Sequence, residues 1–245
     1  MKRSLYLLLS LLLISLPFSG CDVAQQAASA VINSQGQPTT LEITSALKQA
    51  LEQGSTNGTN QLSAVDGFFA NAAIKILFPP EARKAESTLR SIGLGKLADN
   101  VILSLNRAAE DAAKQAKPIF VNAVKQMTLQ DVTGILLGSQ DAATQYFKRT
   151  TKPDLLSKFA PVIQASISKV GATRYYSDAV NAYNKIPLVT KLNPDIADYV
   201  TQKAIDGVFY QIAQEELKIR QNIGFRTTPL MQKVFAYADR TKNSR

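Results

Sequence analysis

Two serine–lysine spacings are the first residues in this chain whose types could do chemistry. Ser45 and Lys48 form one and Ser166 and Lys169 the other, each pair one helical turn apart. A lysine so placed can take the hydroxyl proton of a serine nucleophile. That chemistry needs company, and the partner motifs Ser-Asp-Asn and Lys-Thr-Gly are absent. With eighteen serines and eighteen lysines in 245 residues, a match or two is expected by chance. Glu110 and Asp111 are adjacent carboxylates, types suited to general acid–base work, but helical neighbours point about 100° apart. The reading preferred for them is an ion-paired surface. Tyr146, Tyr175, Tyr176, Tyr183 and Tyr199 could line a groove for sugar or peptide, although such rings more often pack with the hydroxyl at the rim of a core.

What is missing excludes more than what is present suggests. The chain has no histidine, so Ser-His-Asp and Cys-His arrangements and the commonest zinc ligand are all unavailable. No run of acidic residues at alternate positions offers a calcium loop. Gly93-Leu94-Gly95-Lys96 lacks the spacing and the preceding strand of a phosphate loop. No catalytic, cofactor-binding or metal-ligating residue is therefore assigned, and no cofactor is expected. The leading expectation is a non-enzymatic binding or interaction module. Its alternative is an enzyme of unfamiliar type that uses carboxylates or a Ser-Lys pair.

Cys21 is the only cysteine, and its surroundings give it a role. Lys2 and Arg3 precede an apolar run from Leu5 to Leu16, followed by Pro17-Phe18-Ser19-Gly20. This is the order of a secretory leader over residues 1–20: charged, apolar, then small at the cut. A cysteine directly after Ser19-Gly20 resembles the lipobox of bacterial lipoproteins, with Phe18 where that pattern prefers Leu, Val or Ile. The resemblance implies acylation of Cys21, and two or more acyl chains tether a protein durably. The run is too short for a spanning helix, which needs about 20 apolar residues. Asp22 resembles the inner-membrane retention signal of enterobacterial lipoproteins; the choice between inner and outer membrane stays open. The expected location is the cell envelope, facing the periplasm.

The formal charge is +9, or +7 once Lys2 and Arg3 leave with the leader. A positive balance favours anionic lipid headgroups or acidic envelope polymers. The basic residues are scattered and form no run of five, which describes a solvated surface more than a nucleic-acid patch. Partners are therefore sought among envelope proteins, lipids and the cell wall, with nucleic acid excluded.

The elements that must position these residues read as helices. Residues 21–40 are small and polar, a flexible tether behind the cysteine. Thr39 to Glu42 offers a capping box, with Gly54 ending that helix and a loop over Ser55 to Asn60. Pro79-Pro80 opens a helix through Arg90 that Gly93 stops. Further boundaries are expected at Pro118, Thr128, Gly138-Ser139, Pro153, Gly171, Pro187 and Pro194. From Leu97 to Lys114, Ala98, Val101, Ile102, Leu105, Ala108, Ala109 and Ala112 share one side. Asn106, Arg107, Glu110 and Asp111 fall on an outer face with i,i+4 pairs Arg107–Asp111 and Glu110–Lys114. A helix starting near Asp195 is apolar over more than half its circumference, through Val200, Ile205, Val208, Phe209 and Ile212. It should run through the middle of the bundle, with Gly207 permitting close packing or a kink and its polar end after Gln214 reaching into water. The fold predicted is all-α, one multi-helix bundle over residues 41–238 with a polar tail at 239–245.

Several segments also carry a family resemblance. Ala73-Ile-Lys-Ile-Leu-Phe-Pro-Pro-Glu81, Gly93-Leu-Gly-Lys-Leu-Ala-Asp99, Leu105-Asn-Arg-Ala-Ala-Glu-Asp-Ala112 and Ala116-Lys-Pro-Ile-Phe120 occur in order. Asp141-Ala-Ala-Thr-Gln-Tyr-Phe147 and Tyr199-Val-Thr-Gln-Lys-Ala-Ile-Asp-Gly207 follow them. Together they resemble the bacterial domain of unknown function 4197, covering most of the chain from about Leu41 to Phe235. The resemblance implies an exported protein of Gram-negative bacteria with a helical fold, and it brings no activity and no site residue.

Overall fold

The computed structural model describes residues 37–169, 172–192 and 195–243. The leader, Cys21, Asp22, nearly all of the tether and the boundaries at Gly171 and Pro194 lie outside the described residues. From Thr39 onward the chain closes into one compact unit, and among the described residues there is no strand. Helix α1 spans Thr40–Ser63, and a 3₁₀ turn at Pro80–Ala82 leads into α2, Arg83–Ser91. Then come α3 (Gly95–Ala113), α4 (Ala116–Lys125), α5 (Leu129–Leu136), α6 (Ala142–Lys169) and α7 (Ala172–Asn184). Helix α8 covers Ala197–Gln221, a second 3₁₀ turn Ile223–Phe225, and α9 Pro229–Asn243.

Local chemistry sets most of the ends. Thr39 and Glu42 form a reciprocal capping box, with Glu42 N–H to Thr39 Oγ1 at 3.2 Å and Thr39 N–H to Glu42 Oε2 at 2.8 Å. Thr128 and Asp131 repeat it at the start of α5. Gly93 follows α2 with φ +85°, a left-handed conformation that glycine adopts without strain. Pro118 lies in the first turn of α4, where its missing N–H removes no helical bond.

Two expected boundaries are not boundaries. Helix α1 runs on through Gly54 and the whole of Ser55 to Asn60. Its small residues Ala50, Gly54, Ser55, Gly58 and Thr59 are buried at helical spacing, and packing there outweighs the poor helix propensity of glycine. A Cβ on Gly54 would lie 3.5 Å from Glu215 Cβ, and one on Gly58 3.4 Å from Gln211 Cγ, so α1 and α8 approach closely along this stripe. Helix α6 likewise continues past Pro153 and Pro161. Both prolines are exposed, whereas Ala143, Phe147, Thr151, Leu155, Phe159, Ile163 and Ile167, each four residues after the last, are buried. The carbonyls that lose their donors belong to the exposed residues Arg149 and Ser157, and the buried ladder holds the helix together.

Helix α8 is central, as its broad apolar arc implies; it packs on α6, α1 and α3. Val200, Ala204, Ile205, Val208, Phe209 and Ile212 are all buried. Phe209 meets Phe120 edge-on at 6.2 Å, and Phe120 meets Phe147 at 4.9 Å. Gly207 serves close packing: a Cβ there would sit 2.4 Å from Cε1 of the buried Phe68 ring. Helix α9 is laced to α1 by polar side chains. Glu42 accepts from Lys233 Nζ at 2.7 Å, Gln49 from Thr228 Oγ1 at 2.9 Å, and Gln53 donates to the Phe225 carbonyl at 2.8 Å. Among the described residues no helix is long and apolar enough to cross a membrane.

Gly54 and Gly207, both inside helices, make opposite predictions. Gly54→Ala adds a methyl at ordinary contact distance and should stabilise the domain by up to about 1 kcal/mol. Gly207→Ala drives its methyl into Phe68 and should cost about 1–3 kcal/mol. Denaturant melts of residues 37–245 and of each variant check both signs.

Candidate functional site

The polar side of α3 is not an outer face. Residues 64–79 form no helix or strand, and the irregular segment leaves main-chain groups that need partners. Asn106 supplies two of them: its Oδ1 accepts from Ile76 N–H at 2.9 Å, and its Nδ2 donates to Ile76 O at 2.8 Å and Ile102 O at 2.7 Å. Glu110 Oε1 accepts from the N–H groups of Phe68 and Phe69 at 3.1 and 3.2 Å. Its Oε2 takes Arg107 Nη1 at 2.6 Å, and Arg107 Nη2 reaches Asp66 Oδ1 at 2.7 Å. Glu110 is only 4% exposed and Asn106 fully buried, which corrects the expected solvated pairs. The i,i+4 pairing is also replaced, by Arg107–Glu110 and Lys114–Asp111 at i,i+3. Hydrogen bonds that Arg107 donates, to Glu110 first and then to Asp66, raise its pKa above the ordinary value against the opposing effect of burial.

Where this face of α3 meets α6, an open cleft of about 250 Å³ remains, with Arg107, Glu110, Asp111, Lys114, Ser166 and Lys169 on its walls. The structure thus brings together the second serine–lysine spacing and the adjacent carboxylates. Ser166 is buried and donates its hydroxyl hydrogen to Asp111 Oδ2. Asp111 Oδ1 accepts from Lys114 Nζ at 2.8 Å. The Lys114 ammonium, then the Ser166 hydroxyl, hold the Asp111 carboxyl below its ordinary 3.8. A general base works best with a pKa near the operating pH, so the shift runs the wrong way for activating Ser166. Lys169 is exposed, whereas a lysine that takes a serine proton is made neutral by desolvation. Three cations and two carboxylates around the Ser166 hydroxyl suit the binding of a polar group better than its conversion.

The other flagged residues lie elsewhere. Lys48 Nζ donates to the carbonyl of Lys125 at 3.2 Å, covering the C-terminal end of α4, and Ser45 is half-buried. The tyrosines pack rather than gather. Tyr176 and Tyr183 are buried, Tyr146 donates to Ala123 O at 2.9 Å and Tyr199 to Leu77 O at 3.1 Å. Tyr146 does edge a second cleft of about 230 Å³ with Asn122, Gln126, Asp131 and Arg149. Between α1, α6, α8 and α9 an apolar gap of about 20 Å³, lined by Leu51, Phe147, Ile219 and Phe235, has room for about one water. An acyl chain does not fit there. Among the described residues no three His, Cys, Asp or Glu side chains converge on a metal position.

Sequence reading also missed the end of α8. Glu215 and Glu216 are buried instead of reaching into water. Glu216 accepts from the N–H groups of Ala143 and Thr144 at 2.9 and 2.8 Å, at the first turn of α6. Arg220, one turn on, is bonded to Glu216 at 2.9 Å and donates to Ile135 O at 2.7 Å and Leu136 O at 3.3 Å, the last carbonyls of α5. An anion at a helix start and a cation at a helix end both agree with the helix dipoles. The i,i+4 Glu–Arg spacing is visible in the sequence; the two helix ends that meet it are not.

Two outcomes follow. Glu110→Ala should cost more than about 2 kcal/mol, because two buried N–H groups and Arg107 lose their acceptor. Asp111→Asn should lower stability at pH 7. Because the folded carboxyl is the more acidic, that deficit should shrink as pH falls from about 4 toward about 2, where the unfolded chain takes up its proton first. Urea melts across that range measure both.

Neither the curated proteins nor the solved structures contain a match to this sequence. The profile of one family, described as Protein of unknown function (DUF4197), matches residues 37–236. That span begins two residues before the capping box of α1 and ends inside α9, so it takes in the cleft and nearly all of the core. The chain belongs to the DUF4197 family.

Proposed function

We propose that this protein is an exported lipoprotein of the bacterial cell envelope, held to the membrane by acyl chains on Cys21, and that its helical domain binds a partner without catalysing a reaction. The single observation that carries the anchor is the order charged residues, apolar run, Ser19-Gly20, Cys21. The binding reading is supported by the state of the α3–α6 cleft. Ser166 is committed to Asp111 and Glu110 to Arg107, and Asp111 is held in the acidic direction. The enzyme reading has one observation in its favour, the convergence of Ser166, Lys169 and Asp111 on that cleft.

A fatty-acid probe fed to cells should label the wild-type chain and leave Cys21→Ser unlabelled; undiminished labelling of the variant would refute the anchor. A fluorophosphonate, which captures activated serines, should leave residues 37–245 unmodified. Labelling that Ser166→Ala abolishes would establish the enzyme reading instead.

A further inference from the structure

The loop between α7 and α8 carries a side chain for which the fold has no use. Leu188 is 106% exposed, the fullest exposure of any large apolar residue described. It also has φ +65°, in a left-handed region that leucine rarely adopts and that glycine or asparagine enters readily. Neither packing nor turn chemistry therefore asks for leucine here. The loop is pinched at its base, where Asn184 Oδ1 accepts from Leu192 N–H at 3.0 Å and Asn184 Nδ2 donates to Leu192 O at 3.2 Å. What lies between is a closed tip, Lys185 to Lys191, with Pro187 exposed and Ile186 and Val189 half-buried behind Leu188. Lys185 and Lys191 stand exposed on its two shoulders, and among the described residues neither makes an ion pair. No acidic residue occurs between Asp178 and Asp195.

We infer that this loop docks on an anionic lipid bilayer, with Leu188 inserted at the headgroup–acyl boundary and Lys185 and Lys191 against phosphate groups. An apolar tip between lysine shoulders matches the two layers such a surface presents, hydrocarbon below and negative charge above. The occupant is in reach. The stretch from Cys21 to Thr39 spans at most about 60 Å, whereas a domain of about 200 residues has a radius of gyration of roughly 17 Å. A tether of that length can turn any face of the domain to the membrane. The inference rests on the envelope reading for the membrane it names, but docking by the loop needs no acyl chain, so the two fail separately.

The test is co-sedimentation of residues 37–245, which close their own core, with vesicles of phosphatidylethanolamine and phosphatidylglycerol, and with phosphatidylcholine vesicles for comparison. Binding is expected to the anionic vesicles alone and to weaken with salt. Lys185→Ala and Lys191→Ala should each reduce it about five-fold. Leu188→Asn should reduce it about ten-fold or more while leaving the thermal midpoint equal or higher, since asparagine suits the left-handed backbone. Three results would overturn the inference. One is a wild-type domain that ignores anionic vesicles, and another is binding that the lysine variants lose and Leu188→Asn keeps. The third is a domain that ignores vesicles but self-associates in a way Leu188→Asn dissolves, which would assign the loop to a second copy.

Discussion

Every helix end and irregular stretch inside a helical bundle leaves main-chain donors and acceptors without partners, and meeting that need organises this molecule. Buried groups left unpaired cost more than any single pair contributes. The domain answers with a few polar side chains sent inward from α3, from α8 and from the turn before α9. Glu216 and Arg220 serve the start of α6 and the end of α5. Asn106 and Glu110 serve the segment between α1 and α2. Arg226 serves the end of α8, donating to the carbonyls of Ile219 at 3.0 Å and Arg220 at 2.7 Å. Among the described residues no buried side-chain polar atom is left without a partner. The apolar core is free to close because these groups make the junctions between helices tolerable inside it.

This arrangement also governs the cleft between α3 and α6. Glu110 and Arg107 turn toward the irregular segment, and Asp111 and Lys114, next on the helix, turn toward Ser166. Charges that hold the irregular segment and charges that face Ser166 therefore alternate along one helix, and both sets border the cleft. A ligand there would meet Arg107, Glu110, Asp111 and Lys114 already paired, and it would have to compete with those existing hydrogen bonds.

The sequence was most legible where local chemistry decides the backbone. The capping boxes at Thr39 and Thr128, the stop at Gly93 and the arc of α8 all follow from neighbours within one or two turns. It was least legible where distant chain supplies the environment. Glu110, Asn106 and Glu216 read as solvated because their partners lie 42, 30 and 73 residues away in sequence. The same holds for Gly54 and Pro153, whose local cost is real but is outweighed by packing on another helix. The cleft was half visible: Ser166, Lys169, Glu110 and Asp111 were all singled out, but not that Asp111 alone of the two carboxylates meets the serine. Leu188 gave no signal, since one leucine beside a proline is ordinary and its backbone angle is not written in the residue types.

The lacing of α1 to the last part of the chain bears on mechanics. Any pull that reaches the domain from the residues before Thr39 enters at the capping box, on the first turn of α1. Glu42, Gln49 and Gln53 lie along one side of that helix, and each holds a residue between Phe225 and Lys233. On the other side, the small-residue stripe is pressed on α8. Tension along α1 is therefore resisted in shear by several bonds at once, where a helix held only at its tip would peel away one bond at a time. A domain pulled through this end keeps its shape because the load falls on a helix held along its length and not at its tip alone.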